Sequence, residues 1–330
     1  MFEISICIPT FNQPEMLKKT LDSLLLQDNE NVQIVIHDGN DDDENQAVVS
    51  KFTGLLNIEY THKPGRSVDV ALLELIEISS GKYIWWFGDD IFNQGALKKV
   101  LKCIKNNYDC IYVNGTIAGS NKLLLNIDNK ITSDKDLFLK SIGINIGFIS
   151  SFVFIRSVAI SHIDIVKKHM IEEARVVPTP TFSNVYILLY VISRGDNFLL
   201  HSSPLFLCNP NDSNHFLKTK VKKSGVILND AFFVFGVNFK DILLMYQDQF
   251  DVNTIKFLIN ASFRSAWRGV IVGSALGWDT VKGFGDFSKR LSLIKHYYNQ
   301  PEMLLALSLF LLPVKILRIF YFGYKKINRF

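Results

Sequence analysis

Through the first 115 residues, short β-branched and aromatic runs alternate with stretches whose apolar positions recur every three or four residues. Ile4–Thr10 reads as a strand stopped by Pro9, which has no amide for a central ladder. Thr10, Asn12 and Pro14 then supply capping side chains and a proline suited to a first helical turn. Leu17, Leu21, Leu24 and Leu25 mark the inner face of that helix. Val32–His37 is a second strand, ending in Asp38-Gly39-Asn40, and completes a βαβ unit. Leu56–Tyr60 predicts a third strand, Pro64–Ser67 a turn, and Val68–Ser79 a helix buried through Val68, Leu72, Leu75 and Ile76. Tyr83–Phe87, five bulky apolar residues in a row, predicts a fully buried strand of a parallel sheet. A helix from Gly95 to Lys105 and a strand at Cys110–Val113 follow. The alternation predicts an α/β fold with a mostly parallel central sheet flanked by helices.

The second half is less regular. Ile142–Phe154 suggests strand and loop, Val185–Ile192 a helix, and Phe198–Cys208 a strand with Pro204 at an edge. Lys218, Lys220, Lys222 and Lys223 follow His215-Phe216 as a basic loop, either a mobile lid that screens phosphate charge or a solvated loop. From Leu228 onward a helical C-terminal region is expected, with Phe263, Trp267 and Val270 as core positions. Near the end, Met303–Leu312 is apolar on nearly every side before Pro313, and Lys315, Arg318, Lys325, Lys326 and Arg329 follow among tyrosines. That run is short for a bilayer span. Residues 301–330 therefore suggest a helix lying in a membrane interface, with a buried terminal helix or an oligomer contact as the alternatives.

Composition narrows the class. Of 330 residues, 48% are hydrophobic and 21% charged, which excludes a disordered chain. The net charge of +4 gives no reason to expect a nucleic-acid partner. Cys7, Cys103, Cys110 and Cys208 lie far apart, as expected of reduced, buried thiols. The first residues show no secretory signal, so a cytoplasmic location is expected.

The chemistry concentrates where strands end. Phe87-Gly88-Asp89-Asp90 closes the buried run with two carboxylates, at the place where open α/β sheets bind ligands. They either hold a divalent ion and a diphosphate or cap the helix that follows. Asp38, ending the second strand, either accepts hydrogen bonds from a ribose or base or serves as a turn residue. Arg66 is a candidate phosphate partner or a surface arginine. Asp69 either contacts the ligand or complements a helix dipole. No Gly-rich phosphate loop of the P-loop or dinucleotide type occurs.

The order Cys7-Ile8-Pro9-Thr10-Phe11-Asn12, Ile36-His37-Asp38-Gly39, Gly81-Lys82-Tyr83-Ile84 and Phe87-Gly88-Asp89-Asp90, closing on Gly95-Ala96-Leu97, resembles glycosyltransferases of family 2. The match covers roughly residues 1–115, and Trp85-Trp86-Phe87-Gly88-Asp89-Asp90 is most similar to an abequosyltransferase-like branch. The resemblance implies a GT-A fold over residues 1–215, with a nucleotide-sugar-binding half (1–115) and an acceptor-binding half (116–215), followed by a helical region over 216–330. It implies inverting transfer of one sugar from a nucleotide-diphosphate sugar to a polyprenyl-linked or oligosaccharide acceptor of a bacterial surface glycan, assisted by Mg²⁺ or Mn²⁺. The enzyme would work at the inner face of the cell membrane. Carried over, Pro9, Thr10, Asn12, Asp38, Arg66, Asp69 and Asp89 line the nucleotide site, and Asp89 and Asp90 hold the metal. Small polar residues stand where the family places its general base, which leaves Glu173 as the candidate, with His201 and Asp212 behind it. A catalytically degenerate sugar-nucleotide-binding or scaffold protein is the alternative.

Overall fold

The computed structural model describes residues 2–120, 122–173, 182–208, 238–276 and 297–299, with positions 308 and 316. Two compact units divide the chain at Pro210. The first opens with β1 (Ile4–Thr10), α1 (Pro14–Leu25), β2 (Val32–Asp38), α2 (Glu44–Val49), β3 (Ile58–His62) and α3 (Val68–Ile78). It continues through β4 (Tyr83–Trp86), β5 (Ile91–Phe92), α4 (Ala96–Ile104), β6 (Cys110–Ile117), β7 (Lys122–Leu123), β8 (Lys130–Thr132) and α5 (Lys135–Ile142). Then come β9 (Phe152–Ile155), α6 (Arg156–Ile160), α7 (Ile163–Glu173), α8 (Ser183–Arg194) and β10 (Phe198–Cys208).

These strands form one sheet in the order β3-β2-β1-β4-β9-β6-β10-β5, with β7 on β6 and β8 on β10. From β3 to β4 every pairing is parallel, and so is β6 with β10. Between these parallel blocks β9 enters antiparallel to both β4 and β6. The sheet is therefore mixed, and β4 is parallel to its neighbour on one side only. β1 lies inside the sheet, so the tips of β2, β1 and β4 stand side by side at one edge.

Burial explains the strands. Ile4, Ile6, Ile8, Ile34 and Ile36 pack on one face with Leu17, Leu21 and Leu24 of α1. Leu25 lies off that face, 40% exposed, and Val68 likewise points outward. Gly81 permits the closest approach: a Cβ there would sit 2.5 Å from the Ser5 nitrogen, so a side chain would wedge β1 away from the segment entering β4. The Ile142–Phe154 stretch is more helical than expected, with 3₁₀ turns at Gly143–Gly147 and Ile149–Ser151 before β9. Pro204 falls at register shifts within β10, where a bulge relieves its missing donor, and not at a sheet edge.

In the second unit the described residues form a helix at 238–245, a 3₁₀ turn at Gln247–Gln249 and a helix of 25 residues, Val252–Leu276. Phe239, Ile242, Leu258 and Phe263 are buried. The side chains of Trp267 and Val270, the basic loop at 218–223 and most of 301–330 lie outside the described residues. Among those described, no helix is long and apolar enough to cross a membrane.

Candidate active site

The segment after β4 rests on an aromatic floor. Trp85 meets Phe87 edge-on at 5.5 Å and Phe92 at 5.1 Å, while Phe87 and Phe92 stack at 3.7 Å. Trp85 Nε1 donates to the Ser150 carbonyl at 2.9 Å, and the Ser150 hydroxyl accepts from Gly88 N–H at 2.9 Å. This packing carries Asp89 to the sheet edge, where its Oδ2 accepts from Gln13 Nε2 at 2.7 Å. Asp90 is buried, and its carbonyl accepts from the Thr20 hydroxyl at 2.8 Å. The Asp90 charge lies towards Cys208 of β10, whose thiol is pushed up to about 12 by burial first and by Asp90 second. Helix α4 starts at Gly95 with no side-chain cap, so neither carboxylate serves as its cap.

The β1 and β2 tips are bound together. Asp38 is completely buried: its Oδ1 accepts from Asn40 N–H and from Asn45 Nδ2, both at 2.9 Å, and its Oδ2 from the Tyr60 hydroxyl at 2.7 Å. Burial, then the Asp38 hydrogen bond and charge, raise the Tyr60 phenol far above its ordinary value. Asn45 also reaches the Thr10 hydroxyl at 3.4 Å. Gly39 donates to the Thr10 carbonyl at 3.0 Å and accepts from Gly65 N–H at 3.0 Å. A Cβ at Gly39 would press on the Arg66 carbonyl at 3.0 Å, so the 63–66 loop can lie across the tip of β2. Asn12, left-handed at φ 53°, donates its N–H to Asn40 Oδ1. The capping expected of Thr10 and Asn12 is absent, since α1 begins after Gln13 without a side-chain cap and the Gln13 amide serves Asp89.

Pro9, Thr10, Asn12, Asp38 and Asp89 thus share one rim, bridged by the Asn12–Asn40 and Gln13–Asp89 bonds. Arg66 joins it from the 63–66 loop, its Nε 3.8 Å from Glu74. Asp69 turns elsewhere: buried, its Oδ1 accepts from Ser183 N–H at 2.8 Å while Ser183 Oγ donates to the Asp69 carbonyl at 2.9 Å, linking α3 to α8. Glu173 ends α7; its side chain and residues 174–181 lie outside the described residues, as does Asp212. His201 sits within β10, its Nδ1 3.2 Å from the Ser203 carbonyl, with burial first and then Lys99 among the influences that lower its basicity. That places it away from the strand tips. Gln13, Asn45, Tyr60 and Ser150 escaped the sequence reading. Only Gln13, an amide at a helix start where Ser or Asp would be ordinary, carried a local signal.

For a divalent ion, the hard carboxylate oxygens at the end of β4 are of the right chemistry. Among the described residues no three metal-ligating side chains converge. The donor set thus fits an ion held by one or two carboxylates and completed by phosphate oxygens and water.

Comparison with known proteins gives this rim a context. Residues 5–167 match the family described as Glycosyl transferase family 2. This stretch is a family 2 domain. The chain is 30% identical over 117 residues to poly(ribitol-phosphate) β-N-acetylglucosaminyltransferase TarP of Staphylococcus aureus (strain N315), covering 34% of this chain and 36% of that protein. It is 25% identical over 131 residues to the GalNAc(5)-diNAcBac-PP-undecaprenol β-1,3-glucosyltransferase of Campylobacter jejuni, covering 37% and 41%. The chain thus spans less than half the length of these curated relatives. Residues 1–349 of S. aureus TarS in complex with UDP-GlcNAc superpose with a TM-score of 0.63 at 11% identity, over 90% of this chain and 80% of that one. The fold is GT-A-like, and the family 2 domain includes the whole rim.

Proposed function

We propose that the chain is an inverting glycosyltransferase that moves a single sugar from a nucleotide-diphosphate sugar to a lipid-linked or growing bacterial surface glycan, such as an O-antigen or capsule. The observation that carries this reading is the joined rim of β1, β2 and β4 tips inside a family 2 domain. Pro9, Thr10 and Asn12 would lie against the nucleoside, with Asp38 ordering the wall behind it. Arg66 would face the diphosphate, and Asp89, supported by Asp90, would hold Mg²⁺ or Mn²⁺. The ion, when bound, offsets charge on the leaving diphosphate. Transfer with inversion needs a base for the acceptor hydroxyl and stabilisation of the departing oxyanion. Glu173 is assigned the first task and Arg66 a share of the second. Asp69 would act from behind, by fixing the start of α8.

The names of TarP and the Campylobacter enzyme, one a poly(ribitol-phosphate) transferase and one acting on an undecaprenol-linked glycan, support the acceptor class. The aromatic run before Asp89 supports the abequosyltransferase-like branch. Under this proposal residues 1–215 form the transferase domain and 216–330 a helical region, with 301–330 at the cytoplasmic membrane surface. Calorimetric binding of UDP, CDP, GDP and dTDP, each with Mn²⁺ and with EDTA, tests the core of the reading. One nucleotide should bind, and lose most of its affinity with EDTA and in Asp89→Ala. Silence from all four would favour a scaffold protein of a glycan-synthesis complex.

A further inference from the structure

Behind the rim, Glu74 of α3 gathers three nitrogen groups that no part of the transfer scheme above uses together. His37 Nε2 lies 2.7 Å and Lys63 Nζ 2.8 Å from the same Glu74 oxygen, and Arg66 Nε lies 3.8 Å from the other. His37 is fully buried on β2, so it fixes the carboxylate from the sheet side. Lys63 and Arg66 are 43% and 52% exposed and stand on the loop that crosses the tip of β2. Backbone bonds hold this loop in place: Lys63 N–H donates to the Asp38 carbonyl at 2.8 Å and Gly65 N–H to the Gly39 carbonyl at 3.0 Å. Arg66 turns its Nε towards Glu74, which suits a guanidinium whose remaining N–H edge meets an oxyanion. Lys63 and Arg66 thus share one carboxylate, Glu74, on the loop that is bonded to Asp38 and Gly39.

We propose that Lys63 is a second diphosphate-binding cation, acting beside Arg66, and that Glu74 is the positioning residue that presents both. The assignment rests on the nucleotide-sugar reading and goes beyond it by adding Lys63 and naming what orders the pair. Glu74 fixes two long side chains that would otherwise lose rotamer freedom on meeting the ligand. His37 in turn fixes Glu74.

The test compares UDP, CDP, GDP and dTDP with their parent nucleosides by calorimetry, on the full chain. Lys63→Met should weaken the preferred diphosphate about tenfold while leaving the nucleoside within about twofold, the loss expected for one charge-assisted bond. Glu74→Gln should weaken the diphosphate several-fold in the same selective way, with partial recovery in Glu74→Asp. If transfer is measured, donor KM should rise with kcat little changed. Loss of nucleoside and diphosphate alike would show a purely structural role and overturn the proposal. So would unchanged binding in Lys63→Met, or tighter diphosphate binding in Glu74→Gln. If the wild type binds no diphosphate, the nucleotide-sugar reading itself fails, and the proposal falls with it.

Discussion

Removing the carboxylate of Asp38 would strand three donors at once: Asn40 N–H, Asn45 Nδ2 and the Tyr60 hydroxyl. Buried donors left without acceptors cost on the order of 1–3 kcal/mol each, so Asp38→Ala should lose about 3 kcal/mol of stability after partial relaxation. Tyr60→Phe, which leaves Asp38 two donors, should cost about 1 kcal/mol. Urea unfolding followed by circular dichroism checks both values. Equal losses in the two variants would show that Tyr60, not the carboxylate, organises the tip. The sequence announced Asp38 through its place after an apolar run. It could not show that the acid is already satisfied, because Asn45 and Tyr60 reach it only once α2 and β3 have packed against β2.

At the scale of elements, α7 and α8 meet through stacked rings. The His162 imidazole, just before α7, lies 3.8 Å from the Tyr190 ring at an interplanar angle of 2°, and the Arg194 guanidinium covers Tyr190 at 5.3 Å. Burial first, then the charges of His169 and Arg194, lower the His162 pKa from 6.5 to about 4. Between those values the unfolded chain holds a proton that the folded chain excludes. The neutral ring therefore stabilises the fold fully above pH 6.5, and this contribution fades as pH falls towards 4. In His162→Phe, which keeps a ring over Tyr190, the slope of melting temperature against pH across that window should flatten. An unchanged slope would assign the acid sensitivity to other groups.

Apart from the two-residue β5 and the short α2, element order down to β6 was legible because each strand there is a short apolar run and each helix a periodic one. β10 was legible for the same reason. A strand was expected within Ile142–Phe154, but β9 follows two 3₁₀ turns and nothing local marks that it inserts between β4 and β6. The aromatic run at Tyr83–Phe87 signalled burial but not partners. That Trp85 holds Ser150, and Ser150 holds Gly88, depends on a contact across more than sixty residues. The Gln13–Asp89 bond was hidden likewise, since the two residues meet only when β1 and β4 pair.

For the whole molecule, a ligand that binds only the folded state should stabilise it by about 2.7 kcal/mol at a hundredfold excess over its dissociation constant. A nucleoside diphosphate that occupies the rim should therefore raise the melting temperature by several degrees in the presence of Mn²⁺. The shift should shrink in Asp89→Ala and with EDTA. A shift that persists in both would mean that the nucleotide is held without the carboxylate or the ion.

The strand order carries one more consequence, for the chain as it leaves the ribosome. β6 ends at Ile117, yet β9 begins at Phe152 and β10 at Phe198. β7 pairs β6 only at Thr116 and Ile117, so at roughly 5–20 residues per second the rest of β6 waits several seconds for β9 and longer for β10. During that interval the nascent polypeptide presents unpaired edges on both β4 and β6, the kind of surface that recruits stray strands. Pauses in translation before Phe152 should therefore aggravate aggregation, whereas pauses after Cys208, when every strand of the sheet has been synthesised, should be tolerated.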